Sequence, residues 1–188
     1  MRTVLFSLFF SAQMSWATTI YLPSDAGTIY TSGFVYNYYL SPTPGSAQVA
    51  IEFPNFNAAS YSSIQLELTL EATPPSGSVD VYGYSHADGN VTSSDYNLGT
   101  YLGTIQIPQY NSEPWVLNVT SFVDGAAGSF FGFNIRGGPD LFGSLQYGQA
   151  PELVATPAPE PSSATLTWLA IGLFTAAAAR FPRRRATS

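Results

Sequence analysis

The stretch Ile64-Gln65-Leu66-Glu67-Leu68-Thr69-Leu70-Glu71 alternates apolar and polar residues without a fault. Successive side chains of an extended strand point to opposite faces. The four aliphatics therefore line one face, and Gln65, Glu67, Thr69 and Glu71 line the other. Working outward, Val49, Ile51 and Phe53 interleave with Gln48, Ala50 and Glu52, and Phe131, Phe133 and Ile135 with Gly132, Asn134 and Arg136. Trp115, Leu117 and Val119 form a further apolar set, with Asn118 directed the opposite way. Each such strand needs a second sheet to cover its apolar face. The pattern predicts an all-β fold, an antiparallel β-sandwich.

Turn formers punctuate the runs at Pro42-Thr43-Pro44-Gly45, Pro74-Pro75-Ser76-Gly77, Asp88-Gly89-Asn90, Asp124-Gly125 and Gly137-Gly138-Pro139-Asp140. One short helical turn is expected near Ser121 to Ala127. From Ala155 through Pro159 the chain reads as an extended Pro-rich linker.

The two ends read as membrane signals. At the N-terminus a short positive region, Met1-Arg2-Thr3, precedes the apolar run Val4 to Phe10, and Ser15-Trp16-Ala17 places small residues where a signal peptidase reads. This predicts a secretory signal peptide over residues 1–17, cleaved after Ala17. At the other end residues 164–179 carry no charge. Their sixteen positions reach roughly 24 Å as a helix, a little short of a hydrocarbon core of about 30 Å, so a thin transmembrane segment is expected. Arg180, Arg183, Arg184 and Arg185 follow, which places the C-terminus in the cytoplasm and the preceding domain outside.

Residues 18–156 then form one exported domain, with residues 157–188 as linker and tail. The chain has no Cys, so no disulfide staples the fold. Eleven carboxylates against the single Arg136, with no Lys, leave this domain at −10. That balance disfavours nucleic acid and anionic lipid as partners; neutral glycans, divalent cations and basic polymers are compatible with it. All twelve Tyr residues fall in the domain, as expected of a β-rich exported fold.

The order of Pro159-Glu160-Pro161, apolar span and terminal Arg cluster resembles the PEP-CTERM sorting tail of exopolysaccharide-producing Gram-negative bacteria. The resemblance implies recognition around Pro159, Glu160 and Pro161, with Arg183, Arg184 and Arg185 completing the signal, by an exosortase-type transpeptidase. It also implies transfer to the cell surface or release into the extracellular polysaccharide. The central domain resembles the DNRLRE-type carbohydrate-binding jelly roll. Leu22-Pro23-Ser24-Asp25-Ala26, Val49 to Phe53, Ser63 to Leu68, Val79-Asp80-Val81-Tyr82, Trp115 to Thr120, Phe122-Val123, Phe131-Gly132-Phe133 and Pro151-Glu152-Leu153 carry that likeness. Asn118 stands where that family has Asp, and the motif that names it is missing. A jelly roll and sugar binding are what this second resemblance implies.

Within the domain, Asp80, Tyr82 and Tyr84 alternate with core-facing Val79 and Val81, so they are expected to point outward together. Aromatic rings stack on the C–H faces of a sugar while a carboxylate accepts its hydroxyl hydrogen bonds. Tyr36 and Tyr38 form a second aromatic set, with Tyr39 on the opposite side. Asp88, Asn90 and Asp95 offer hard oxygen ligands for calcium in a Gly-containing loop, although an ordinary polar turn uses the same residues.

His86 is the only histidine. Zinc sites built from His and Cys and Cys-based nucleophiles are therefore excluded, and no Gly-x-Ser-x-Gly elbow accompanies the histidine. Paired carboxylates could still hydrolyse a glycosidic bond, but Glu67 and Glu71 would stand about 13 Å apart along one strand, too far for that chemistry. The expected function is a non-enzymatic surface or matrix protein, structural or glycan-binding. The alternative is a small carbohydrate-active hydrolase with paired carboxylates.

Overall fold

The computed structural model describes residues 17–37, 40–69, 76–107, 114–138 and 150–159. Among these residues ten strands follow one another: β1 Thr19–Tyr21, β2 Asp25–Tyr30, β3 Val35–Tyr36, β4 Ala47–Pro54, β5 Tyr61–Leu68, β6 Gly77–Ala87, β7 Thr100–Ile107, β8 Trp115–Asn118, β9 Phe130–Arg136 and β10 Glu152–Pro157. They build two sheets, a four-stranded one in the order β1-β10-β5-β8 and a six-stranded one in the order β3-β2-β4-β9-β6-β7. Every pairing is antiparallel. The two-sheet sandwich that the alternating pattern predicts is the fold.

The alternating aliphatics meet where the sheets face each other. Ile64, Leu66 and Leu68 of β5 are fully buried against Val49, Ile51 and Phe53 of β4 and Phe131, Phe133 and Ile135 of β9. Phe53, Phe131 and Phe133 form a mutual cluster with ring centroids 5.9–6.1 Å apart. Among the described residues a single α-helix, α1 Thr120–Gly125, sits at the expected helical turn, and its Phe122 packs on Phe133 at 5.3 Å. Gly83 of β6 makes room for it, since a Cβ there would stand 2.6 Å from the Phe122 ring.

Two expectations change. Ala155, Thr156 and Pro157 are not linker: they complete β10, which lies between β1 and β5, and Ala155 is a core residue. Proline is accommodated at the end of the strand, where the register with β5 shifts between Thr156 and Pro157. The second face of β4 and β9 is also not solvated. Gln48, Ala50, Glu52 and Asn134 are all buried, and the chain between β6 and β7 folds back over Ala50, Glu52 and Asn134.

The chain divides after Pro157, and of the second unit only Ala158 and Pro159 are described. Among the described residues no helix is long and apolar enough to cross a membrane. Residues 1–16 of the expected signal peptide 1–17, Tyr38, Tyr39, Glu71, Glu160, Pro161, the apolar span 164–179 and Arg183, Arg184 and Arg185 lie outside the described residues.

Candidate functional site: the outer face of the six-stranded sheet

Register arranges the outer face as rows running across the strands. Gln48, Arg136, Asp80 and Thr104 are successive cross-strand partners, and Ala50, Asn134, Tyr82 and Tyr101 form the next row. Asp25, Glu52, Gly132 and Tyr84 form a third. The expected set Asp80, Tyr82 and Tyr84 thus does share one face, but its members end in two different environments.

The first environment is open. Tyr101 is 52 % exposed, and its ring meets that of Tyr82 edge-on at 5.6 Å. The register between β6 and β7 shifts beside Tyr82, skipping Leu102, and this bulge brings Tyr101 onto the face of Thr104. Thr104 Oγ1 donates to Asp80 Oδ1 at 2.6 Å. With that one proton spent, Tyr101 must donate in the 2.7 Å contact to Thr104. On the other side the Arg136 guanidinium lies 3.8 Å over the Tyr82 ring. A depression of about 640 Å³, lined by Ser76, Gly77, Ser78, Gln106 and Ile107, continues along the same two strands. An exposed ring, a fixed carboxylate and a guanidinium therefore stand together.

The second environment is covered. Residues 88–99, between β6 and β7, cross the sheet as a strap. Tyr84 is only 6 % exposed and donates its hydroxyl to Glu52 Oε1 at 3.0 Å, while Gly89 N–H donates to Glu52 Oε2 at 2.6 Å. Glu52 is 0 % exposed. Burial is the largest influence on its carboxyl and the nearby Asp95 and Asp88 add to it. Against the two hydrogen bonds, which act the other way, these push the pKa up to about 7. Burial and the same acids hold the Tyr84 phenol above its ordinary range.

Two of the three residues offered for calcium hydrogen-bond within the strap itself. Asp88 Oδ1 accepts from Asn90 N–H at 2.9 Å, and Asp95 Oδ2 accepts from Thr92 N–H at 2.7 Å, closing a capping box around the 3-10 turn Ser93–Asp95. Among the described residues no three His, Asp or Glu side chains converge to hold a metal ion. Tyr36 lies elsewhere, at the sheet edge on β3, where Phe34 stacks between it and Tyr30 with centroids 6.4 and 6.1 Å away. His86 is exposed and lies within β6, not in a loop: it is the extra residue at the β6–β9 register shift and adopts a positive φ of 65° there.

Sequence reasoning missed Tyr101, Arg136 and Glu52. Arg136 carried a signal, being the only Lys or Arg in a strongly acidic domain. Tyr101 carried none, because its facing depends on the bulge. No protein-family model matches this chain, and no curated protein matches it.

Proposed function

We propose that this chain is an exported, non-enzymatic jelly-roll protein of the extracellular polysaccharide, delivered by its signal peptide and PEP-CTERM-like tail. Its outer sheet face contacts neutral glycans. The observation that carries the binding reading is the Tyr101–Thr104–Asp80 chain beside Tyr82 and Arg136. A ring held in place by its own hydroxyl needs little further ordering to stack on a sugar, and Asp80 and Arg136 supply an acceptor and donors at its margin. The domain's charge favours an uncharged polymer over a polyanion.

Binding of the full-length protein to a glycan array tests this. Tyr101→Ala is expected to lower binding at least tenfold, while Tyr36→Ala, at the separate edge cluster, leaves it unchanged. Equal binding by parent and Tyr101→Ala would refute the assignment. One observation favours the hydrolase reading: Glu67 and Glu152 are direct cross-strand partners, and burial, then the Glu152 charge, raises the Glu67 carboxyl above its ordinary range. Polysaccharide turnover that disappears in Glu152→Gln would replace the binding assignment with that one.

A further inference from the structure

The strap over the sheet is held by two kinds of clamp. Its first half is fixed through backbone N–H groups that donate to side-chain carboxyl oxygens of the sheet, Gly89 to Glu52 and Val91 to Asp25 at 2.8 Å, while Thr92 N–H to Asp95 closes the strap on itself. Its second half is fixed through carbonyls. Asn134 Nδ2 donates to the carbonyls of Asp95 and Leu98 at 2.8 and 3.0 Å, and Arg136 donates to Leu98 at 2.7 Å. The apolar hold is small, with Val91 and Tyr96 packing on Ile29 and Ala50. Both ends turn at glycines with positive φ, Gly89 at 90° and Gly99 at 101°. A segment seated mainly by polar contacts between two such turns separates from the core more readily than a packed strand does.

We propose that the strap is a pH-released cover, seated while Glu52 is protonated and lifting as Glu52 ionises, so that Tyr84 and Asn134 become accessible on the outer face.

The surroundings of Glu52 supply the reason. Asp25 faces it from β2, Tyr84 from β6, and Asp88 and Asp95 from the strap, while β9 contributes the uncharged Gly132. Every titratable neighbour is an acid. Arg136, the only Lys or Arg among the described residues, is committed to Leu98 and the Tyr82 ring. An ionised Glu52 is thus a buried charge among like charges with no counter-ion, and lifting the strap gives it water. Asn134 Oδ1 and Arg136 Nε, on side chains that bond to the strap, are buried without a hydrogen-bond partner in the protein, so opening also relieves them.

The sign follows from linkage. The closed-state pKa of about 7 exceeds the ordinary 4.5, so closure is favoured in full below 4.5 and is lost as pH rises through 7. If the open strap restores the ordinary value, the opening constant rises about 70-fold between pH 5 and pH 8.

The proposal is independent of the glycan reading, although opening would extend the face beside Tyr82. Amide hydrogen exchange of the full-length protein at pH 5 and pH 8, corrected for intrinsic exchange rates, tests it. Protection at Gly89 and Val91, whose amides bond to the sheet, is expected to fall by tens of fold at the higher pH, with the β4 and β9 ladders unchanged. Glu52→Gln, which cannot ionise, is expected to abolish that difference. The same pH response in Glu52→Gln, unchanged strap protection, or an equal loss across β4 and β9 would overturn it. Should Glu52→Gln fail to fold, Tyr84→Phe serves. It removes a donor to the carboxylate and shifts the loss of protection to higher pH; an unshifted midpoint would overturn the proposal.

Discussion

A Cβ added to Gly132 would collide with the Tyr84 ring, because that ring lies flat across the glycine on its way to Glu52. The glycine is therefore part of the clamp, although it carries no group of its own. Gly132→Ala is expected to cost about 1–3 kcal/mol by displacing Tyr84, read as a lower urea midpoint with an unchanged slope. Gly125, with nothing within 4 Å of an added Cβ, is the matched control, and Gly125→Ala should leave the midpoint nearly unmoved. From sequence, Gly132 reads only as one polar-side position in an alternating strand. Its role depends on Tyr84, 48 positions earlier in the chain and adjacent only through the β6–β9 register.

Strand elements were legible wherever one face alone decides their pattern. Ile64, Leu66 and Leu68 are buried as their alternation requires, and Gln65 and Glu67 stay partly exposed. The four-stranded sheet keeps its outer face in water, which is why β5 reads so cleanly. The six-stranded sheet does not. Glu52, Gln48 and Asn134 are the residue types of a solvated face, yet all three are buried, with Glu52 and Asn134 held under contacts from the strap. Those contacts join residues 36–66 positions apart, beyond the reach of any local pattern. Ala155 to Pro157 misled for another reason: alanine and proline are poor strand formers, and pairing with β5 overrides their preference. The open face of the four-stranded sheet also carries a testable strain. Glu152 stands directly opposite Glu67, so Glu152→Gln should raise stability by about 0.2–1 kcal/mol at pH 7. The raised Glu67 pKa makes the gain vanish at acid pH, where Glu67 is neutral, and grow as pH climbs through the Glu67 titration. Chemical denaturation of parent and variant at pH 4 and pH 7 checks this; an equal gain at both would remove charge repulsion as the cause.

At the scale of the whole molecule, one acidic sandwich without disulfides is framed by two stretches that read as membrane signals. If both are processed, mass spectrometry of the protein from its native cell will find a chain beginning at Thr18 and shortened or joined to another group near Pro159-Glu160-Pro161. Glu160→Ala is then expected to retain the C-terminal segment and stay with the membrane fraction. Processing that is identical in parent and variant would show that the motif is not read.

The pairing of β1 with β10 adds a constraint of timing. If the chain is exported as proposed, the first strand to leave the channel bonds, among the described residues, only to the last, and β10 is also the inner neighbour of β5. The smaller sheet consequently stays unclosed until about 140 residues have crossed, with one apolar seam bare in the meantime. A chain stalled short of Glu152 would present that seam to whatever awaits it outside.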